Sequence, residues 1–120
     1  MEHIKRINKK NFALLARENK TNKTYKVIKI NFDSEKVLCY NSIEQRKFSF
    51  SEIRLLGFTR KLDFEGKKIF EGAKVKATFE NNLEFVGLVI NKYGEWIIKD
   101  YRLNKFIKLI NKDILKLEIF

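Results

Sequence analysis

Few side chains in this sequence are of a type that does covalent or metal chemistry, and their spacing does not favour it. The single cysteine, Cys39, sits in the apolar run Lys36-Val37-Leu38-Cys39-Tyr40, where a thiol acts as a small buried hydrophobe. One cysteine excludes an intrachain disulfide, and no neighbour in the sequence marks it as a reactive thiolate. The single histidine, His3, lies near the N-terminus. A zinc site needs about four nitrogen or sulfur ligands, and Cys39 and His3 are two, far apart in the chain. Carboxylates stand singly rather than in the clusters that hold magnesium. Gly57, Gly66, Gly72, Gly87 and Gly94 are too widely spaced for either phosphate-binding glycine signature. The expectation is a protein that is not an enzyme and uses no cofactor and no metal.

What the sequence does carry is positive charge. It has 26 Lys and Arg against 15 Asp and Glu, a formal net charge of +11. The excess is uneven: residues 1–30 hold nine basic side chains against Glu2 and Glu18. Such a segment serves as an arm or face for phosphates or an acidic partner, or simply as a solvated, solubilising end. Its candidate binding residues are Lys5, Arg6, Lys9, Lys10, Arg17, Lys20 and Lys23. A second patch is expected near the C-terminus, where Tyr93, Trp96 and Tyr101 lie close in sequence to Lys92, Lys99 and Arg102. Strand-borne aromatics beside basic residues stack single-stranded bases. Tyr93, at a turn, is the better exposed aromatic, and Trp96 also fits a core position. Tyr93, Arg102 and Lys105 are the candidates of this patch.

These residues must be positioned by strands. Phe12-Ala13-Leu14-Leu15-Ala16-Arg17 is ambiguous on its own, because Ala and Leu favour helix and Asn11 could cap one. Thr24 to Phe32 is rich in Tyr, Val and Ile, a strand composition, and Asp33-Ser34-Glu35 turns it back into Lys36–Asn41. Lys47–Phe50 alternates, and Ser51–Leu56 is one turn or a brief strand ending at Gly57. A turn at Asp63–Gly66 marks the middle of the chain. Then come Ala73–Glu80, an Asn81-Asn82 tight turn, Leu83–Lys92, a Tyr93-Gly94 turn and Glu95–Asp100. Lys105–Ile110 and Ile114–Ile119 complete the series. Phe106, Leu109, Ile110, Ile114 and Leu117 would also fit a helix face, but Asn111-Lys112-Asp113 interrupts them as a turn. The expected fold is therefore mostly β, an N-terminal strand meander followed by a small SH3-like barrel of short antiparallel strands. The length suits a single compact β domain over residues 1–120, with subregions 1–56 and 57–120. No apolar run approaches the ~20 residues of a membrane span. The polar opening Met1–Arg6 lacks a signal-peptide core, so a bacterial cytoplasmic location is expected.

One stretch resembles a known pattern. Residues 55–76 read Leu-Leu-Gly-Phe-Thr-Arg-Lys-Leu-Asp-Phe-Glu-Gly-Lys-Lys-Ile-Phe-Glu-Gly-Ala-Lys-Val-Lys, which looks like the YopX-like family of small phage and prophage proteins. Leu55, Phe58, Thr59, Asp63, Gly66, Ile69, Phe70, Glu71, Gly72 and Val75 fit its pattern, and Leu62 does so one place displaced. Arg60 and Lys61 stand where Gly and Leu are usual, and Ala73 replaces the usual Asp. The resemblance extends diffusely over residues 11–119 and turns the Phe12–Arg17 ambiguity toward strand. It implies a mostly-β protein of phage or prophage origin, and its motif residues are structural punctuation rather than chemistry.

Several functions remain open on this basis. The preferred expectation is a non-enzymatic phage-type protein that uses its basic surface to inhibit a host nucleic-acid-handling or defence complex. An anti-CRISPR-like blocker of an RNA-guided nuclease is one example. The partner would then be a host protein or nucleoprotein complex, with RNA or DNA phosphates as further contacts. The alternatives are a general RNA- or DNA-binding protein and a homo-oligomeric assembly protein joined through strand edges. A sponge for a small nucleotide signal is the least favoured binder.

Overall fold

A computed structural model describes residues 14–120. The chain divides after Gly57 into two compact units. Both are built of antiparallel strands, as the alternating apolar pattern requires.

The N-terminal unit contains β1 (Leu14–Glu18), β2 (Thr24–Asn31), β3 (Lys36–Tyr40), β4 (Gln45–Ser49) and the first half of β5 (Ile53–Leu62). Their order is β4-β3-β2-β1-β5, a meander with β5 added beside β1. One face of this sheet buries Ala16, Tyr25, Val37, Cys39, Phe48 and Ile53. Tyr25 and Phe48 meet edge to face with ring centres 5.1 Å apart, a geometry that suits their quadrupoles. Each fully buried large apolar side chain contributes about 2 kcal/mol, so Phe48 and Val37 hold this small layer together. Cys39 is completely buried, and burial pushes its thiol up to about 11 against a small downward pull from Arg46. It is a core atom rather than a nucleophile.

β5 corrects one expectation. Gly57 does not end a strand: a 3-10 turn at Phe50–Glu52 leads into a strand that runs on to Leu62. The turn is closed by the Glu52 carboxylate, which accepts from the Ser49 N–H and hydroxyl at 2.8 and 2.9 Å. Those bonds, the backbone one first, hold the Glu52 carboxyl below its ordinary range. β5 continues because its backbone keeps finding partners. Leu14 to Glu18 pair with its first half, and Phe58 and Leu62 pair with Phe70 and Lys68 of β6 (Lys68–Phe70). The register shifts between those two pairs, and Arg60 takes φ +67° there. This is the position where the resembling pattern carries Gly. A left-handed non-glycine costs about 1 kcal/mol, so Arg60→Gly is expected to stabilise the protein by about that amount. Urea denaturation measures it, and a loss of stability would show that Arg60 makes up its backbone cost through side-chain packing.

The C-terminal unit holds the second half of β5, β6, β7 (Lys74–Thr78), β8 (Glu84–Lys92), β9 (Glu95–Asp100), β10 (Lys105–Lys108) and β11 (Lys116–Ile119). Its five-stranded sheet has the order β10-β9-β8-β7-β11. Four strands form a meander and the fifth returns beside the first, an antiparallel sheet consistent with the expected small barrel-like fold. Tyr93 and Gly94 have φ of +52° and +82°, the double positive φ of a two-residue hairpin turn. Asn81 and Asn82 are also left-handed, at +61° and +60°, but they lie in a five-residue connection between Thr78 and Glu84 with a 3-10 turn at Glu80–Asn82, not in the expected two-residue turn. Val75, Ala77, Val89, Ile98 and Leu117 point to one side and pack with Ile69 and Leu109. Trp96 packs against this cluster, which makes it a core residue and not a free stacking platform.

The segment that carries the family resemblance is built by two buried polar side chains. Thr59 Oγ1 donates to the Ile69 carbonyl at 2.7 Å and accepts the Lys61 N–H at 3.1 Å. Asp63 Oδ1 accepts the N–H groups of Glu65 and Lys67 at 2.9 and 2.8 Å. Gly66 (φ +83°) completes that turn, and its N–H donates to the Asp63 carbonyl.

Candidate functional site

Strand parity decides which side chains the C-terminal sheet turns away from its core. Antiparallel partners share a face. The pairs Lys74–Leu88, Leu88–Lys99 and Lys99–Phe106 therefore form one row across β7, β8, β9 and β10. The row spans three strand spacings, about 14 Å. It lies opposite the side that carries Val75, Val89 and Ile98, and Lys92 takes the same face on β8.

Lysines and aromatics alternate on and around this face. The Lys99 ammonium lies 5.1 Å from the Tyr101 ring centre, and Lys92 lies 5.0 Å from Phe106 and 5.9 Å from Tyr93. Lys74 lies 5.3 Å from Phe120. Tyr93, Tyr101 and Phe106 are 95%, 58% and 51% exposed. Each contact is a cation–π pair worth about 0.5–1 kcal/mol at an exposed site, enough to bias the orientation of a ring without burying it.

The charges fall into two groups. Lys76 is clamped between Glu84 (3.5 Å) and Glu118 (3.4 Å), and these carboxylates, Glu84 first, raise its ammonium above the ordinary lysine range. Lys108 pairs with Glu95 at 3.4 Å. By contrast, no carboxylate among the described residues lies within ion-pair distance of Lys74, Lys92, Lys99 or Arg102. Their charge is available to a ligand.

A groove of about 570 Å³ runs beside the row, lined by Lys74, Leu88, Lys99, Tyr101, Arg102 and Leu103 among others. Its floor includes Gly87, where a Cβ would stand 2.4 Å from the Lys99 carbonyl oxygen. One wall is the β9–β10 loop. Asp100 Oδ1 accepts the N–H groups of Arg102 and Leu103 at 3.0 and 3.2 Å, and Asn104 turns the chain with φ +53°. Asp100 is thus occupied in shaping the loop that presents Tyr101 and Arg102, and Glu84, the other carboxylate of the lining, pairs with Lys76.

The other sequence candidates are distributed as follows. Lys5, Arg6, Lys9 and Lys10 lie outside the described residues. Arg17 is half-buried in β1 opposite Arg54, with a buried Nε that has no partner among the described residues. Lys20 and Lys23 are exposed in the β1–β2 turn of the N-terminal unit, and the Lys23 carbonyl accepts from the Glu18 N–H. In the second patch, Arg102 lines the groove, whereas Tyr93 stands outside it at the β8–β9 turn, beside Lys92. Lys105 opposes Asp100 and so takes the other side of β10 from Phe106. The candidate list did not include Lys74, Leu88, Phe106 and Phe120. For Leu88 the signal was parity counted back from the Tyr93-Gly94 turn. Lys74 and Phe106 lie beyond longer connections, and a two-residue turn at Asn81-Asn82 would have set Lys74 opposite Val89 on the core side.

Among the described residues no group of three or more His, Cys, Asp or Glu stands close enough to hold a metal ion, and no helix is long and apolar enough to cross a membrane. Fold and face together define a small all-β protein with a basic, aromatic-studded sheet surface. No protein-family model, curated protein or solved structure matches the chain.

Proposed function

We propose that this protein is a non-enzymatic binding protein whose ligand is nucleic-acid phosphate, held on the outer face of the C-terminal sheet. The observation that carries this reading is the set of uncompensated cations, Lys74, Lys92, Lys99 and Arg102, gathered on and beside one sheet face that also exposes aromatic rings. Neutralising phosphates with such cations releases condensed counterions, which supplies affinity without any sequence motif. Lys76 and Lys108 add less because Glu84, Glu118 and Glu95 already answer their charge. A phage-type blocker of a host RNA-guided complex would use this same face to compete for that complex's nucleic acid.

The test is fluorescence anisotropy of labelled oligonucleotides from 50 to 300 mM salt. The triple variant Lys74→Glu, Lys99→Glu, Arg102→Glu is expected to weaken binding at least tenfold and to flatten the salt slope by about two on a single strand. All three positions are exposed or half-exposed, so circular dichroism should find the fold retained. Binding that is unchanged in a folded triple variant would move the interface elsewhere.

A further inference from the structure

Resting on that reading, we infer that the groove between β8 and the Tyr101–Asn104 loop seats a single strand rather than a duplex, with a base stacked on Tyr101. Four features converge on this ligand. The groove's volume of about 570 Å³ falls in the range of small-molecule sites, the scale of individual nucleotides rather than of a double helix. A duplex keeps its bases inside and would present only phosphates to a concave surface. Tyr101 and Leu88 would then face nothing. An unpaired base has an open π-face of the kind that exposed rings take up without sequence preference.

The cations stand where a backbone would follow. Lys99 sits 5.1 Å from the Tyr101 ring, so a phosphate beside a base on that ring lies within reach of the ammonium. Lys74, two strands away across Leu88, is about 10 Å further along the sheet. Arg102 covers the other end from the loop. The row then continues to Phe106, whose ring is contacted by Lys92, a second aromatic with a cation beside it.

The loop is also ordered before any ligand arrives. The two bonds to Asp100 Oδ1 and the Asp100–Lys105 strand pair close it at its base. Little conformational entropy is then lost on binding, which is how preorganised sites gain affinity. An acidic peptide would answer the cations but has no flat group for Tyr101, so the nucleic acid fits better.

Full-length protein is titrated with three fluorescein-labelled probes at 100 mM salt: a 12-nucleotide uridine strand, a 12-nucleotide thymidine strand and a 12-base-pair DNA duplex. A glutamate oligomer serves as competitor. Both single strands are expected to bind at least tenfold more tightly than the duplex. Tyr101→Ala should weaken the single strands about tenfold and leave the duplex unchanged, while Tyr101→Phe keeps the ring and the affinity. Equal binding of strands and duplex, or a neutral Tyr101→Ala, overturns the stacking groove while the phosphate-binding reading stands. No binding to any of the three probes, or displacement by the glutamate oligomer at lower charge concentration than by unlabelled strand, removes both readings together.

Discussion

Replacing Gly87 with alanine should cost the C-terminal unit about 3 kcal/mol, the upper end of what overpacking costs in a close-packed interior. The new Cβ would lie 2.4 Å from the Lys99 carbonyl oxygen, 2.6 Å from its carbon and 3.0 Å from the Asp100 nitrogen. All three are backbone atoms, and no side chain can swing aside to relieve the clash. β8 and β9 would have to part at Leu88–Lys99, the last pair of the ladder that starts at Lys92–Glu95, and Gly87 is also held on its other side by Val75 of β7. The small gain from removing a glycine in a strand, about 0.5–1 kcal/mol, does not offset this. Two compact units make a single global transition unsafe to assume, so the readout must belong to one unit. Trp96, the only tryptophan, packs against the C-terminal core, and its fluorescence in urea reports that unit alone. A midpoint within the error of the wild type would mean that the strands at Gly87 yield freely. A large shift would also explain why a glycine lines the groove: the close approach of β8 to the Lys99–Asp100 backbone leaves no room for a side chain.

The strands were readable because their signals are local. Val, Ile, Tyr and Trp concentrated in short runs place β2, β3 and β9, and the Tyr93-Gly94 turn falls where two left-handed residues close a hairpin. β5 was harder. Gly57 looks like a stop, yet a strand ends only when its backbone lacks partners, and the partners of β5 change from β1 to β6 around that glycine. Nothing local to residues 53–62 encodes two different neighbours in succession. Arg60 is a related case. The arginine itself gives no sign of a left-handed backbone, which coincides with the register shift between Phe58 and Leu62; only the glycine usual there in the resembling pattern points to it.

The candidate site was legible in kind but not in membership. Charge and aromatic content pointed to a phosphate-binding surface, and Tyr101, Lys99 and Arg102 stood near one another in the sequence. Lys74 joins them from 25 residues earlier only through the β7–β8–β9 register. Whether a lysine is available also depends on register. Lys76 is two residues from Lys74 on the same face, but cross-strand Glu84 and Glu118 occupy it, and no composition count distinguishes the two.

Asp63→Ala is expected to destabilise the C-terminal unit by about 3 kcal/mol and Asp63→Asn by about 1 kcal/mol. One carboxylate oxygen, Oδ1, holds two backbone N–H groups, Glu65 and Lys67. Bonds to a charged acceptor contribute about 1.5–3 kcal/mol each net of exchange with water, and alanine leaves both donors to find other partners. Asparagine keeps an oxygen at that place and loses only the charge assistance. The other oxygen, Oδ2, is buried without a partner among the described residues, so the carboxylate already bears a desolvation cost that the neutral amide relieves. That relief limits the loss in Asp63→Asn. The effect reaches beyond the turn, since the Phe64 N–H donates to the Leu117 carbonyl at 2.8 Å and so ties the loop to the returning strand β11. Loosening the loop weakens the strand that closes the sheet beside β7. Trp96 fluorescence in urea, with the two variants side by side, separates the contributions. Equal losses in Asn and Ala would show that negative charge, and not acceptor geometry, organises this turn. A small loss in both would mean that Gly66 and the β5–β6 pairing form it unaided.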